Sequence, residues 1–125
     1  PFIQFEGKTI DNVCLELASD PSEFDVLVME NLFGDLISDL GAGLIGPAGP
    51  GGGLGLVPGA NFGTQYAVFE AVHGSAPDIA GKGIANPIAV IRSAAMLLEY
   101  VGRPDAMAKI ERGVAGALQA GEGLT

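Results

Sequence analysis

Residues 46–61 read GPAGPGGGLGLVPGAN, and no regular helix can run through them. Glycine loses the most backbone freedom on ordering, and proline lacks the N–H that a helix ladder needs. The block therefore divides the chain, and regular structure has to form before it and after it.

Before the block, FIQFEG alternates apolar and polar residues as a short strand does. In TIDNVCLELASDP the apolar residues Ile10, Val13, Cys14 and Leu17 fall on one helical face, with Thr9 as N-cap and Pro21 as stop. Residues 24–29, FDVLVM, form a continuous apolar run of strand length, which predicts a buried parallel strand. A helix follows at once in ENLFGDLISDLGAGLIG, with Asn31 as a cap.

After the block, YAVFEAV predicts a second strand, and HGSAPDIAGKGIANP is a loop punctuated by glycine and proline. NPIAVIRSAAMLLEYVG predicts a helix with Pro87 in its first turn. Its stripe is Ile88, Ile91, Ala95 and Leu98, and Gly102 ends it. PDAMAKIERGVAGALQAG predicts a last helix, weakened by Gly113 and Gly116. Strands alternating with helices indicate an α/β protein.

The 125 residues are 48% hydrophobic and 17% charged, which suits a packed core. Fifteen acidic residues against six basic ones give a net charge of −9. That balance argues against nucleic acid or an anionic membrane as partner, and it suits a soluble protein or one that binds metal cations. No apolar run has the length of a membrane span. The single Cys14 cannot form an internal disulfide, as fits a reducing compartment. A start at Pro1 and a stop at GEGLT suggest part of a longer protein.

Asp35 and Asp39 are set into the apolar helix four residues apart, about 40° around its axis from each other. Two like charges on one face repel, and a divalent ion with hard oxygen ligands would relieve them. The alternative is a plain solvent-facing acid pair. Asp11, at the head of the preceding helix, is either a third ligand or a first-turn acid favoured by the helix dipole.

The HGSAPDIAGKGIANP loop is neither a Walker A loop nor G-x-G-x-x-G. It does place Asp78 in a glycine loop beyond a strand end, where nucleotide-binding folds hold ribose hydroxyls. Asp78 read alone is equally a turn residue, and a lone His73 is more often structural than catalytic.

In order and spacing, IDNVCLEL, FDVLVMENLFGDLISDLGAGLIG, GLGLVPGAN, AVFEAVHGSAPDIAGKGIANP and SAAMLLEYVG resemble the isocitrate/isopropylmalate dehydrogenase family. The resemblance covers nearly the whole chain and corresponds to the later middle and near-C-terminal part of such an enzyme. It implies that family's α/β fold. About 1–50 would carry the metal site and dimer interface, and about 51–125 the cofactor-binding part.

The resemblance also implies chemistry. These enzymes oxidise a 2-hydroxy acid with a carboxylate on the neighbouring carbon and then decarboxylate it, using a divalent metal, Mg²⁺ or Mn²⁺. Asp11 matches the acid of the family's DN motif, and Asp35 with Asp39 match GDxxSD. The first acid usually comes from the opposite subunit of a homodimer, whose interface takes up the apolar helices.

His73, Gly74, Ser75 and Ala76 would line the adenine and phosphate side of the cofactor, Asn86 would contact adenine, and Glu70 would lie near the nicotinamide ribose. Asp78 with Ile79 stands where NADP-using members typically carry Lys-Tyr, so NAD is the expected cofactor. The family's catalytic Lys and Tyr fall outside these residues, and Lys8 does not correspond to that Lys, so the 125 residues are expected to be inactive alone.

Isocitrate is the expected substrate among hydroxy di- and tricarboxylates. Isopropylmalate, homoisocitrate and a non-catalytic regulatory subunit are the alternatives. The implied location is cytoplasmic, or the mitochondrial matrix in a eukaryote. One departure is a short insertion around 46–51, where the family runs GLIGGLGL.

Overall fold

The computed structural model describes residues 2–45 and 52–121; the insertion around 46–51 lies outside them. Helix α1 spans Ile10–Ser19 and α2 spans Asn31–Ile45. A 3-10 segment, Gly52–Leu56, leads into strands β1, Pro58–Phe62, and β2, Ala67–Ala71. Helices α3, Ile88–Tyr100, and α4, Pro104–Ala120, complete the order.

Asp20 manages the exit from α1. Its backbone N–H closes the helix on the Glu16 carbonyl at 2.8 Å, and its carboxylate accepts from the Ser22 N–H at 3.1 Å, opening the turn Pro21–Glu23. The Ser22 side chain and N–H hold that carboxyl below the usual carboxylate range. Thr9 occupies the N-cap position of α1 but makes no capping bond with its side chain. Asn31 is the first residue of α2, one place inside the expected cap position.

The two strands pair antiparallel, with Gly59 opposite Glu70 and Asn61 opposite Val68. Helix α3 packs on this hairpin and pairs with α4. Small residues permit the close approach: Ala89, Ser93 and Ala95 are buried on α3, together with Ile88. The buried face is therefore rotated from the predicted stripe, keeping Ile88 and Ala95 but leaving Ile91 exposed. Gly102, at φ +81°, turns the chain out of α3, a conformation that costs glycine nothing. The N–H of Arg103 then bonds the Leu98 carbonyl at 2.8 Å.

Two expectations fail. FIQFEG and FDVLVM belong to no strand, and Val26 and Val28 are 81% and 88% exposed. A parallel strand needs a neighbouring strand to satisfy its N–H and C=O groups, and among the described residues the run at 24–29 pairs with neither β1 nor β2. The glycine block also contains more order than expected, since it carries the 3-10 segment and all of β1 except Phe62.

The buried apolar set is small, comprising Val13, Ile37, Ala42, Ile88, Ala89 and Ala95. Phe2, Ile3, Phe5, Leu32, Leu36 and Ile45 are all exposed. Apolar surface on that scale is out of keeping with the 48% hydrophobic composition of a self-sufficient core.

Candidate functional site

Two groups of residues carry the expected chemistry, one on α1 and α2 and one along β2 and the loop after it.

Asp35 and Asp39 are both exposed on α2, one turn apart, so the helix keeps their charges in water. Exposed Leu32, Phe33 and Leu36 share the helix with them. The Ser38 hydroxyl donates to the Asp35 carbonyl at 3.0 Å, which turns that side chain back on its own helix. Asp11 is exposed in the first turn of α1, and Thr9 with the Asn12 N–H holds its carboxyl below the usual range. Among the described residues, no three His, Cys, Asp or Glu side chains converge on a point where they could hold a metal ion. Within one chain Asp11, Asp35 and Asp39 are thus not brought into one site. Lys8 is engaged elsewhere, bonded to Glu16 at 2.6 Å and lying 5.3 Å from the centre of the Phe24 ring.

The second group is contiguous. Glu70 points outward from β2, and its Oε1 accepts from the Asn61 Nδ2 at 3.1 Å. His73, just beyond β2, places Nδ1 2.9 Å from the Gly74 carbonyl. A carbonyl only accepts, so Nδ1 carries the proton, and in the neutral ring Nε2 is free to accept. Gly74, Ser75, Ala76 and Asp78 are exposed, and Ile79 is half-buried. Ala76 sits at φ +42°, an uncommon conformation for a residue with a Cβ. Consecutive turns follow, with the Ile79 N–H on the Ala76 carbonyl and the Lys82 N–H on the Ile79 carbonyl, each at 3.1 Å.

Asn86 differs from the rest of the loop. It is 8% exposed, and its Oδ1 accepts from the Ile88 N–H at 3.0 Å, satisfying one free donor at the start of α3. Its carbonyl is thereby engaged by the helix, and its amide nitrogen is left as a donor. An Asn just before the proline that opens a helix is a local signal readable in the sequence.

The 3-10 segment Gly52–Leu56 connects the two groups. Gly53 packs so closely on α2 that a Cβ would run into the Ala42 carbonyl. A Cβ on Gly55 would sit 3.4 Å from the Asn86 Cβ. The Leu56 carbonyl accepts from Arg92 Nη1 at 3.0 Å, while Arg92 Nε bonds Glu111 at 3.1 Å, tying α3, α4 and the segment together. The sequence offered no signal for Arg92, whose role depends on three elements meeting.

The family model described as isocitrate/isopropylmalate dehydrogenase matches residues 1–125. The chain is 50% identical to the probable isocitrate dehydrogenase (NAD) subunit alpha, mitochondrial, of Caenorhabditis elegans, over 100% of this chain and 33% of that protein. It is 50% identical to the isocitrate/homoisocitrate dehydrogenase of Thermus thermophilus, over 97% of this chain and 34% of that one. The crystal structure of isocitrate dehydrogenase from Methylococcus capsulatus superposes with a TM-score of 0.81 at 56% identity, covering 90% of this chain and 31% of that one. The chain thus spans about a third of the length of the curated relatives it matches.

Proposed function

Because this chain belongs to the isocitrate/isopropylmalate dehydrogenase family, we propose that it is part of an NAD-dependent enzyme that oxidatively decarboxylates isocitrate to 2-oxoglutarate. The observation that carries this reading is α2, where Asp35 and Asp39 lie exposed one turn apart beside exposed Leu32 and Leu36. Paired carboxylates bordered by uncovered apolar surface suit an ion site completed at an interface.

The donor set fits a hard divalent ion: carboxylate oxygens, spaced by one helical turn, with no soft ligand among them. Asp35 and Asp39 would hold Mg²⁺ or Mn²⁺ together with Asp11 of a second copy, in a homodimer or higher oligomer. When bound, the ion supplies Lewis-acid polarisation of the substrate oxygen. Asp78 would accept the two hydroxyls of the adenosine ribose, and its charge would reject a 2′-phosphate. Glu70 would hold the nicotinamide ribose, His73 to Ala76 the adenine and phosphates, and the Asn86 amide nitrogen would donate to the adenine.

The name of the Thermus relative favours a second reading, homoisocitrate as substrate. Steady-state assay of the full-length enzyme decides between them. Isocitrate with NAD and Mg²⁺ is expected to give the highest kcat/KM, ahead of homoisocitrate and isopropylmalate, and a higher value for either of those overturns the assignment. The 125 residues alone are expected to produce no NADH.

A further inference from the structure

The pleat of the hairpin sorts its side chains. Phe62, Phe69 and Tyr100 gather on the side facing α3, with ring centres 5.5 to 5.9 Å apart. On the opposite side, Glu70 and Val68 of β2 face outward with their cross-strand partners Gly59 and Asn61. Gly59 is directly opposite Glu70 and has no side chain, so nothing covers the carboxylate from across the ladder. A Cβ there would meet the Glu70 carbonyl oxygen at 3.0 Å and Val72 Cγ2 at 3.3 Å. The diagonal neighbour therefore takes the position, and the Asn61 amide reaches Glu70 Oε1 at 3.1 Å.

Two independent bonds thus fix Glu70. The Ser93 hydroxyl, on the α3 side, is 2.7 Å from its backbone carbonyl, and Asn61 orients its carboxylate. We infer that Asn61 is the positioning residue for Glu70, and that the pair sets how tightly the enzyme holds a ligand hydroxyl beside the hairpin. The inference rests on the reading of Glu70 as the acid near the nicotinamide ribose.

The donor balance specifies the ligand class. An ionised carboxylate and an amide carbonyl only accept, and the bond between the two residues uses one Asn61 N–H on Glu70 Oε1. Glu70 Oε2 and Asn61 Oδ1 remain as acceptors, and the second Asn61 N–H remains as a donor. That mix suits a hydroxyl, such as that of a ribose, which both donates and accepts, and the Glu70 charge disfavours an anion such as a phosphate. Without Asn61 the carboxylate rotates freely on an exposed strand, and each ligand contact has to order it anew.

The test uses the full-length enzyme. Asn61→Ala is expected to raise KM for NAD roughly three- to tenfold, the net size of one ordinary hydrogen bond at an exposed site. The kcat, the KM for isocitrate and the thermal midpoint should stay near wild type, and the NADH dissociation constant, read by fluorescence, should rise in parallel. Asn61→Asp should raise KM for NAD further, because a second carboxylate then opposes Glu70. Asn61→Gln keeps the amide and should fall between wild type and Asn61→Ala.

A wild-type KM for NAD in Asn61→Ala, alongside a raised one in Glu70→Gln, overturns the inference and leaves the Glu70 reading standing. Wild-type values in both variants overturn that reading and the inference with it. Equal losses in both KM values and in thermal midpoint identify Asn61 as merely structural and also overturn it.

Discussion

The Ser93 hydroxyl lies 2.7 Å from the Glu70 carbonyl oxygen and fastens a buried point of α3 to the outward-facing end of β2. Its one proton sits between that carbonyl and the Ala89 carbonyl at 2.9 Å, while its oxygen is 3.4 Å from the Gly59 N–H. A residue 1% exposed thereby serves both strands of the hairpin and its own helix.

Ser93→Ala keeps the packing volume almost unchanged and removes the donor. With the Glu70 carbonyl deprived of that bond, the loss should be about 1–2 kcal/mol. It would be read as a lower urea midpoint at unchanged slope in the full-length enzyme. An unchanged midpoint would show that the hydroxyl contributes nothing to holding the hairpin on α3.

Gly53 tests the link between the glycine block and α2. Alanine at 53 puts its methyl into the Ala42 carbonyl, and backbone cannot move aside as a flexible side chain does. The expected cost is about 1–3 kcal/mol, as for overpacking elsewhere. Gly55→Ala meets the Asn86 side chain at 3.4 Å, an ordinary contact distance, and should cost less. Thermal midpoints in the reverse order would remove Gly53 as the point of close approach.

How far the sequence reveals this fold depends on where each element finds its partners. Helices α1, α3 and α4 bond internally, so their periodicity, Pro21 and Gly102 locate them closely. Strand β2 is legible in AVFEA, but β1 reads PGANF, and that sequence becomes a strand only because β2 lies opposite. The run at 24–29 is the converse, with strand propensity but no strand paired to it among the described residues. Asp35 and Asp39 are legible as candidates because acids one helical turn apart are a local signal, and Asp78 because it stands in a glycine loop beyond a strand end. The bonds that orient the site, Asn61 to Glu70 and Arg92 to Leu56, cross between elements and have no such signature.

The two acids of α2 separate stability from metal dependence. Both are exposed, and like charges one turn apart repel, so Asp35→Asn or Asp39→Asn should leave the metal-free enzyme as stable as wild type or slightly more so. Saturating Mn²⁺ should stabilise wild type by about 2.7 kcal/mol at a hundredfold excess over its dissociation constant. Both variants should lose most of that shift, along with metal-dependent turnover. A variant that loses thermal stability without metal, yet keeps its response to Mn²⁺, would make the pair an ordinary surface feature of the helix.

Asp78 carries the cofactor prediction. It is exposed at a loop tip fixed by successive turns from Ala76 to Lys82, so a substitution there alters charge without disturbing packing. A carboxylate accepts two vicinal hydroxyls but faces a 2′-phosphate with like charge, a penalty that grows as water is excluded by the bound cofactor. The full-length enzyme should therefore prefer NAD over NADP in kcat/KM by about tenfold or more, since each such factor needs only about 1.4 kcal/mol. Asp78→Lys should weaken NAD use and raise NADP use at an unchanged thermal midpoint. The NADP gain should shrink at high salt, because an exposed ion pair with the phosphate is screened. A wild-type preference for NADP, or an Asp78→Lys enzyme with an unaltered cofactor ratio, would remove Asp78 from cofactor selection.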